Sequence, residues 1–354
     1  MRVHYLAMTT DTLCSHAFEK PLNLLENERQ AMEWQRTIKA IALLTPLVKQ
    51  FTWIIPAALK LPLLPLQLVV PDLARIVVLH RDMHKQAETA ISNHSSRTLD
   101  GLQNQKPGFK PSSAQSSNIF QNILSSDSLS IEEKRRNRIA QDGFVVLAAG
   151  GETTGRVLTN ATYHLLANKE TALQRLKGEL ASVMPDPNMR ADIKTLERLP
   201  WLTAIIKESL RITALITSRL PLVSPNEPLQ YQQWTIPAGV PVGMTLRNIL
   251  LDPNFFSKPL EFHPERWLSS NPELDYISRA YLPFGRGSRM CIGINLALAE
   301  LYITLAYVFR RFDLELYDTI RERDIDSVRD CFIGESAPDS RGVRVAFAID
   351  RSKT

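Results

Sequence analysis

The sequence predicts a mainly α-helical fold with small β-sheets. Apolar residues recur three and four positions apart over most of the chain, which is the period of an amphipathic helix. Alternation with a period of two is confined to short stretches near residues 229–244 and 343–349, so any sheets are small. The chain has 354 residues, of which 44% are hydrophobic and 22% are charged. That length and composition allow one large domain or two smaller ones.

The first part of the chain, residues 3–90, is predicted to form helices broken at prolines, and the polar stretch from His94 to Ser117 is predicted to be a solvated loop. Its most apolar region, residues 41–70, contains prolines and lysines that exclude a membrane-spanning helix of about 20 residues. Two interpretations remain for Trp53, Ile54, Ile55 and the leucines that follow them. They form either a buried helix-loop-helix or a surface that rests on a membrane.

A long helix is predicted from about Ser130 to Leu166, because Ser130-Ile-Glu-Glu133 fits a capping box. At ~1.5 Å per residue it would be roughly 50 Å long. Further helices are predicted over residues 170–183, 201–212 and 292–312. A β-hairpin is predicted around Ile236-Pro-Ala-Gly239, and a closing strand over residues 343–349.

Charge and cysteine content narrow the class of protein. The formal net charge is +5, and the only basic cluster is Lys134-Arg-Arg-Asn-Arg138. Nucleic-acid binding is not expected, because no aromatic or glycine residues interleave with that cluster. It is predicted to be a solvated helix face, with a docking surface for an acidic redox partner as the alternative. The cysteines Cys14, Cys291 and Cys331 have no short spacing, which argues against a disulfide framework or a zinc site. Cys14 and Cys331 are expected to be buried.

The remaining thiol stands in the segment Phe284-Gly-Arg-Gly287-Ser-Arg289-Met-Cys291-Ile-Gly293. Amide N–H groups and the dipole of the following helix favour thiolate over thiol there, and thiolate is an electron-donating axial ligand of haem iron. Gly287 and Gly293 would let the backbone approach a flat cofactor. Arg289 would meet an acidic group at the cofactor edge, and Phe284 could pack near the sulfur. The segment therefore predicts a haem site, with a structural cysteine in a glycine-rich turn as the alternative.

The long helix contains Ala149-Gly150-Gly151-Glu152-Thr153-Thr154. Each glycine costs about 1 kcal/mol relative to alanine inside a helix, so packing or function must compensate. A glycine pair permits a local kink or bulge that opens a groove, where Glu152 and Thr153 could relay protons. The alternative is tight helix packing with two incidental polar residues.

A third motif is predicted to be structural. Glu208-Ser-Leu-Arg211 carries opposite charges on one helix face, and its apolar flanks indicate that the charges are buried. A buried pair needs further partners, and Arg266 in Phe262-His-Pro-Glu-Arg266-Trp267 is the expected one.

Together these motifs resemble the cytochrome P450 monooxygenases. The cysteine segment matches the family's Phe-x-x-Gly-x-Arg-x-Cys-x-Gly signature at every fixed position. The stretch with Glu152 and Thr153 resembles the acid–alcohol motif, and the Glu-x-x-Arg and Pro-Glu-Arg-Trp motifs occur in the family's order. The resemblance implies Cys291 as the axial haem ligand, Glu152 and Thr153 as the proton relay, and Arg289 and Arg219 as contacts of the haem propionates.

The resemblance also implies a function. It is NADPH-dependent insertion of one oxygen atom of O2 into an apolar organic molecule, with fungal small-molecule biosynthesis as the setting. Electrons would come from a separate NADPH–cytochrome P450 reductase, because no flavin-binding segment is present. The motif wording is of a microsomal type, which implies the endoplasmic reticulum membrane surface with peripheral contact and no transmembrane anchor in this chain. A poorly active or non-catalytic haem-binding remnant, and a haem-thiolate isomerase or dehydratase, are the alternatives; the intact Glu152-Thr153 pair speaks against the latter.

The extent of the resemblance implies one cytochrome P450 domain over residues 1–354 that lacks the usual N-terminal third. The missing third would include the helix with Trp-x-x-x-Arg, which in the family holds the haem propionates. We therefore expect the propionate contacts to be incomplete. The parts of the expected domain are, in order, N-terminal helices (1–93), a loop and short helix (94–129), the long oxygen-binding helix with the Glu-x-x-Arg helix (130–216), a β-hairpin region (217–262), the Pro-Glu-Arg-Trp and cysteine segments with the following helix (263–316), and a C-terminal β-region (317–354).

Overall fold

The computed structural model describes residues 1–103 and 118–347, and the side chains of 97–103 are not described. The described chain forms two compact units. The first contains Arg2–Gly155, and the second contains Met1 and the described residues from Arg156 onward. The prediction of a mainly helical fold with small sheets is confirmed. The prediction of one domain stays a prediction.

The first unit is helical throughout its regular structure. Its elements are α1 (Arg2–Phe18), a 3-10 turn (Leu24–Glu26), α2 (Glu28–Gln50), α3 (Ile54–Lys60), α4 (Leu63–Val69), α5 (Pro71–Gln103), α6 (Ile119–Ser125) and the first part of α7 (Arg136–Ala167). Asn27 caps α2 by accepting from the Gln30 N–H, and Asn118 caps α6 by accepting from the Phe120 N–H. One cluster of buried residues joins α1, the 3-10 turn and α2, and a second joins α3, α4 and α5.

The second unit combines helices with four small antiparallel sheets. After the end of α7 come a π-helical turn (Lys169–Leu173), α8 (Gln174–Val183), α9 (Ile193–Glu197), α10 (Pro200–Thr213), α11 (Leu246–Leu250), a 3-10 helix (Pro264–Trp267), α12 (Leu274–Arg279), α13 (Ile294–Arg311) and α14 (Arg321–Asp324). The strands are β1 (Leu220–Val223), β2 (Leu229–Tyr231), β3 (Trp234–Ile236), β4 (Pro241–Met244), β5 (Leu314–Leu316), β6 (Arg329–Cys331), β7 (Ile333–Glu335) and β8 (Val345–Phe347). They pair as β1–β4, β2–β3, β5–β8 and β6–β7.

The long helix begins later than the capping box predicted. It starts at Arg136, and residues 131–134 form turns. The reason is that Glu133, which a capping box would turn back to the Ser130 N–H, instead accepts a hydrogen bond from Arg138 at 2.7 Å. The predicted end near Leu166 is correct, since the helix ends at Ala167.

The loop predicted from His94 is wrong for its first ten residues, because α5 continues to Gln103. Polar residues remain in this helix by bonding to it: the Thr89 hydroxyl donates to the Lys85 carbonyl, and the Ser96 hydroxyl donates to the Ser92 carbonyl. Residues 104–117 of the predicted loop lie outside the described residues, as does the end of the strand predicted to reach Ile349.

The hairpin predicted around Ile236–Gly239 is also wrong. The hairpin is β2–β3, and its turn contains Gln232 with a φ of 53°. The strand after Gly239 pairs with β1 instead. One alternating stretch of sequence therefore supplies strands to two sheets, which period-two patterning cannot distinguish.

The apolar helices α2–α4 have a buried side and an exposed side. Ala58 and Leu66 lie in a core, whereas Trp53, Leu64 and Leu68 are 66%, 71% and 79% exposed. In the described chain no helix has, by itself, the length and apolarity of a membrane span. The helices α2 and α3 meet that criterion only as a pair, which is bent by 113°.

The glycines of α7 serve helix packing. A Cβ atom on Gly150 would lie 2.7 Å from a Leu13 side-chain carbon, and one on Gly151 would lie 2.3 Å from the Thr10 hydroxyl oxygen. A Cβ on Gly155 would lie 3.1 Å from the backbone nitrogen of Leu6. The three glycines therefore allow α1 to lie directly against the α7 backbone, which compensates for their cost within a helix.

We expect Gly151→Ala to lower the free energy of unfolding by about 1–3 kcal/mol, because the added methyl group overpacks the contact with α1. The matched control is Gly178→Ala in α8, where a Cβ meets no atom within 4 Å. There the better helix propensity of alanine should stabilise the protein by up to about 1 kcal/mol. Urea unfolding of both variants measures the difference, and equal effects would show that α1 does not fill the Gly151 site.

Candidate functional site

The cysteine segment forms a closed loop before α13. The Cys291 N–H donates to the Phe284 carbonyl at 2.9 Å, and the Met290 N–H donates to the Gly287 carbonyl at 3.1 Å. The Cys291 thiol is exposed, whereas Cys14 and Cys331 are buried as expected. Burial, reinforced by Asp11, raises the pKa of Cys14 to about 12, which keeps that thiol protonated. Cys291 is thus the accessible thiol of the chain's three cysteines.

The backbone of this loop leaves room for a flat cofactor. Gly287 has a φ of 81°, and a Cβ atom built on it meets no atom within 4 Å. Gly293 is the N-cap of α13, and a Cβ there would lie 4.0 Å from the Cys291 sulfur. Ile292, which lies between Cys291 and Gly293, is 96% exposed. An exposed thiol beside open backbone fits a haem ligand loop.

Two arginines of the same unit carry available positive charge. Arg289 and Arg219 are exposed, and within the described residues neither forms a side-chain hydrogen bond or ion pair. Their charges are therefore free to meet carboxylates such as haem propionates. Phe284 is partly buried at the start of the loop.

Glu152 and Thr153 belong to the first unit and are held in different ways. Glu152 is 2% exposed, and its Oε1 accepts from Arg2 Nε at 3.1 Å and from Arg2 Nη2 at 2.6 Å. The Thr153 hydroxyl donates to the Ala149 carbonyl at 3.0 Å. Over Arg136–Ala167 the helix is continuously α-helical, so the predicted bulge at the glycine pair is not formed. Helix α1 packs against these glycines instead.

The predicted buried charge network of Glu208 is confirmed. Glu208 accepts from Arg211 Nη2 at 2.8 Å and from Arg266 Nε at 3.2 Å, and the Glu208 and Arg211 side chains are fully buried. The Trp267 indole N–H and the His263 backbone N–H donate to the same carboxylate. Burial by itself raises the pKa of Glu208, but the bonds and charges of the two arginines outweigh it and lower that pKa below 4.5. The network locks α10 to the segment around Pro264–Trp267.

Sequence patterns did not reveal His164, which is buried in the second unit. Its ring stacks on Phe262 with centroids 4.9 Å apart. Burial, with the charge of Arg321 next in effect, lowers the pKa of His164 from 6.5 to about 3. A histidine in an apolar helix pattern gives no sign of its partners, since Phe262 is distant in the chain.

We expect His164 to make stability depend on pH. Between pH 6.5 and 3 the unfolded histidine binds a proton and the folded one does not, so stability is lost as the pH falls, at roughly 1.4 kcal/mol per pH unit. His164→Phe removes one group that binds a proton on unfolding, so stability should fall less steeply as the pH is lowered. His263→Phe changes an exposed side chain and should leave the slope unchanged. Urea unfolding at pH 7, 6 and 5 measures the slope, and parallel curves for wild type and His164→Phe would contradict the assignment.

The residues predicted from the sequence to be site residues belong to different units. Cys291, Arg289 and the loop glycines lie in one, together with Arg219, and Glu152 and Thr153 lie in the other. Arg2, which binds Glu152, was missed by sequence reasoning. A residue that far from its partner in the chain leaves no local signal.

Comparison with known proteins decides the family. The family model described as "Cytochrome P450" matches residues 1–334. The chain belongs to the cytochrome P450 family. Cytochrome P450s carry a cysteine-ligated haem, and the open loop and exposed thiol described above fit that cofactor.

Several similar proteins are from fungi. The chain is 35% identical to "Cytochrome P450 monooxygenase MO6277" of Ascocoryne sarcoides, covering 98% of this chain and 66% of that protein. It is 35% identical to "Tryptophan 6-hydroxylase fscE" of Fusarium equiseti, covering 96% of this chain and 64% of that protein. A solved cytochrome P450DA heme domain shares the fold, with a TM-score of 0.68 at 19% identity, over 98% of this chain and 68% of that one. The chain thus spans just under two thirds of the length of the first two cytochrome P450 relatives.

Proposed function

We propose that the protein is a haem-thiolate monooxygenase that inserts one oxygen atom of O2 into an apolar organic molecule in fungal small-molecule biosynthesis. The observation that carries the proposal is Cys291, an exposed thiol in a glycine loop whose sequence has the cytochrome P450 signature. The haem supplies oxygen activation, with a thiolate ligand that favours O–O cleavage.

Around the cofactor the chain's own residues have separate roles. Cys291 would bind the haem iron through its thiolate, and Gly287 and Gly293 leave its loop open to a planar group. Arg289 and Arg219 would bind the haem propionates. The support is that both side chains are exposed and that neither forms an ion pair with another described residue. Phe284 packs near the sulfur and limits water at the thiolate.

Glu152 and Thr153 deliver protons in the proposed mechanism. The Thr153 hydroxyl already donates to the Ala149 carbonyl, so its lone pairs are available to accept a hydrogen bond from a donor. Glu152 is adjacent to Thr153 in the sequence, and its carboxyl group can accept a proton and release it again.

The names of two relatives support an apolar aromatic ring as the part of the substrate that is oxidised. These relatives are named "Tryptophan 6-hydroxylase" and "N-acetyltryptophan 6-hydroxylase", at 35% and 34% identity. Tryptophan and N-acetyltryptophan are therefore the first substrates to test, and an aromatic ring position is the proposed point of oxidation.

The proposed electron donor is NADPH–cytochrome P450 reductase, and the proposed location is the endoplasmic reticulum membrane surface. The exposed side of α3 and α4, with Trp53, Leu64 and Leu68, supports peripheral membrane contact. Large apolar side chains of this kind are stabilised at the boundary between headgroups and acyl chains.

The experiment combines a spectrum with turnover. A reduced-CO difference spectrum of the haem-loaded protein should show the band of a thiolate-ligated complex. With reductase, NADPH and O2, at least one indole substrate should gain one oxygen atom from O2 in isotope labelling. A thiolate spectrum with oxygen-independent conversion would indicate an isomerase or dehydratase. No thiolate spectrum would overturn the proposal.

A further inference from the structure

The contact between Arg2 and Glu152 joins two helices that are far apart in the chain. Both donors of Arg2, Nε and Nη2, converge on Glu152 Oε1 at 3.1 and 2.6 Å. The side chains are 16% and 3% exposed, so solvent barely reaches the pair. A buried charge pair of this kind fixes the rotamer of each partner far more strongly than a surface ion pair does.

The helix that carries Arg2 is itself held in place. The Thr9 hydroxyl of α1 lies 2.8 Å from the Gly151 carbonyl oxygen of α7, one residue before Glu152. Thr10 fills the space over Gly151, and the α1 backbone at Leu6 lies over Gly155. These contacts bracket Glu152 on both sides along α7. Because these contacts hold α1 against α7, they also fix the position of Arg2.

Stability alone gives no reason for a charge pair at this place. Well-packed apolar residues of similar volume are often as stabilising as a buried ion pair or more so. Here the carboxylate is next to Thr153, the residue whose hydroxyl has free acceptor capacity. The two hydrogen bonds from Arg2 hold the Glu152 carboxyl group on the α1 side of α7.

We propose that Arg2 is a positioning residue for Glu152: it orients the acid of the proton relay. This inference rests on the proposed function of Glu152. It adds to the relay a residue outside the sequence motif, which acts through Glu152 and does not contact substrate or cofactor itself.

The test uses Arg2→Met, which removes the charge, and Arg2→Lys, which keeps it. Infrared difference spectra of wild type against Glu152→Gln isolate the carboxylate stretch of Glu152 without any need for the haem. Arg2→Met should shift that band, and Arg2→Lys should shift it by a smaller amount, because an ammonium keeps the charge but not the two-donor contact. Arg36→Met, which breaks the exposed Arg36–Glu33 pair, should leave the band in place.

Turnover with reductase supplies the second readout. Arg2→Met should raise the ratio of peroxide to oxygenated product several-fold, Arg2→Lys should restore it in part, and Arg2→Met should add nothing on the Glu152→Gln background. If Arg2→Met does not fold, the band position in Arg2→Lys decides, because a shorter ammonium cannot reproduce the two-donor contact on one oxygen.

The outcomes separate the two proposals. If Glu152→Gln leaves the peroxide ratio unchanged, the relay role of Glu152 is wrong. If Glu152→Gln raises the ratio while Arg2→Met changes neither the ratio nor the infrared band, the relay stands and the positioning role of Arg2 is overturned.

Discussion

Cys291→Ser should abolish the thiolate-type band of the reduced-CO spectrum and all oxygenated product. A serine hydroxyl has the geometry of the thiol but not its electron donation, and without a thiolate ligand oxygen activation at the haem fails. The expected loss is complete rather than partial, because the other two cysteines, Cys14 and Cys331, are buried and cannot replace Cys291. Absorption spectra and product analysis on haem-reconstituted protein measure it.

The matched control for this prediction is Cys14→Ala. Cys14 is buried in α1 and its thiol is protonated, so the variant should keep the spectrum and the product. A Cys291→Ser protein that retained the thiolate band would assign the ligand to another residue. Circular dichroism of both variants establishes that the fold is intact.

Glu208→Ala and Arg266→Ala should each lower the free energy of unfolding by about 3–5 kcal/mol, because either change removes a charged partner from a buried network. In Glu208→Ala two guanidinium groups and the Trp267 indole lose their shared acceptor. In Arg266→Ala the carboxylate keeps Arg211, so its loss should be the smaller of the two. Chemical denaturation at neutral pH measures both.

The exposed pair Lys258–Glu261 has the same i,i+3 spacing as Glu208–Arg211 and provides the control. Lys258→Ala should change the stability by less than about 1 kcal/mol, because solvent screens an exposed pair. Equal stability of Glu208→Ala and Lys258→Ala would mean that the Glu208 network is not buried in solution.

Much of the fold could be predicted from the sequence because its signals are local. The apolar period of α10 and α13, the end of α7 and the small size of the sheets follow from residues within each element. The burial of Glu208 and Arg211 also followed from their apolar flanks. Where local signals compete, prediction was wrong: polar residues typical of loops lie within α5, and Glu133 bonds to Arg138 instead of the Ser130 N–H.

By itself the sequence determined the haem-ligand segment, its family and the charges of the buried network, since each is a property of residue types at fixed spacing. The tertiary structure decided what those residues contact. It assigned the glycines of α7 to packing against α1, gave Glu152 its partner Arg2 and buried His164 against Phe262. These contacts join residues far apart in the chain, and only packing, which buries both members of a pair together, determines which of them meet.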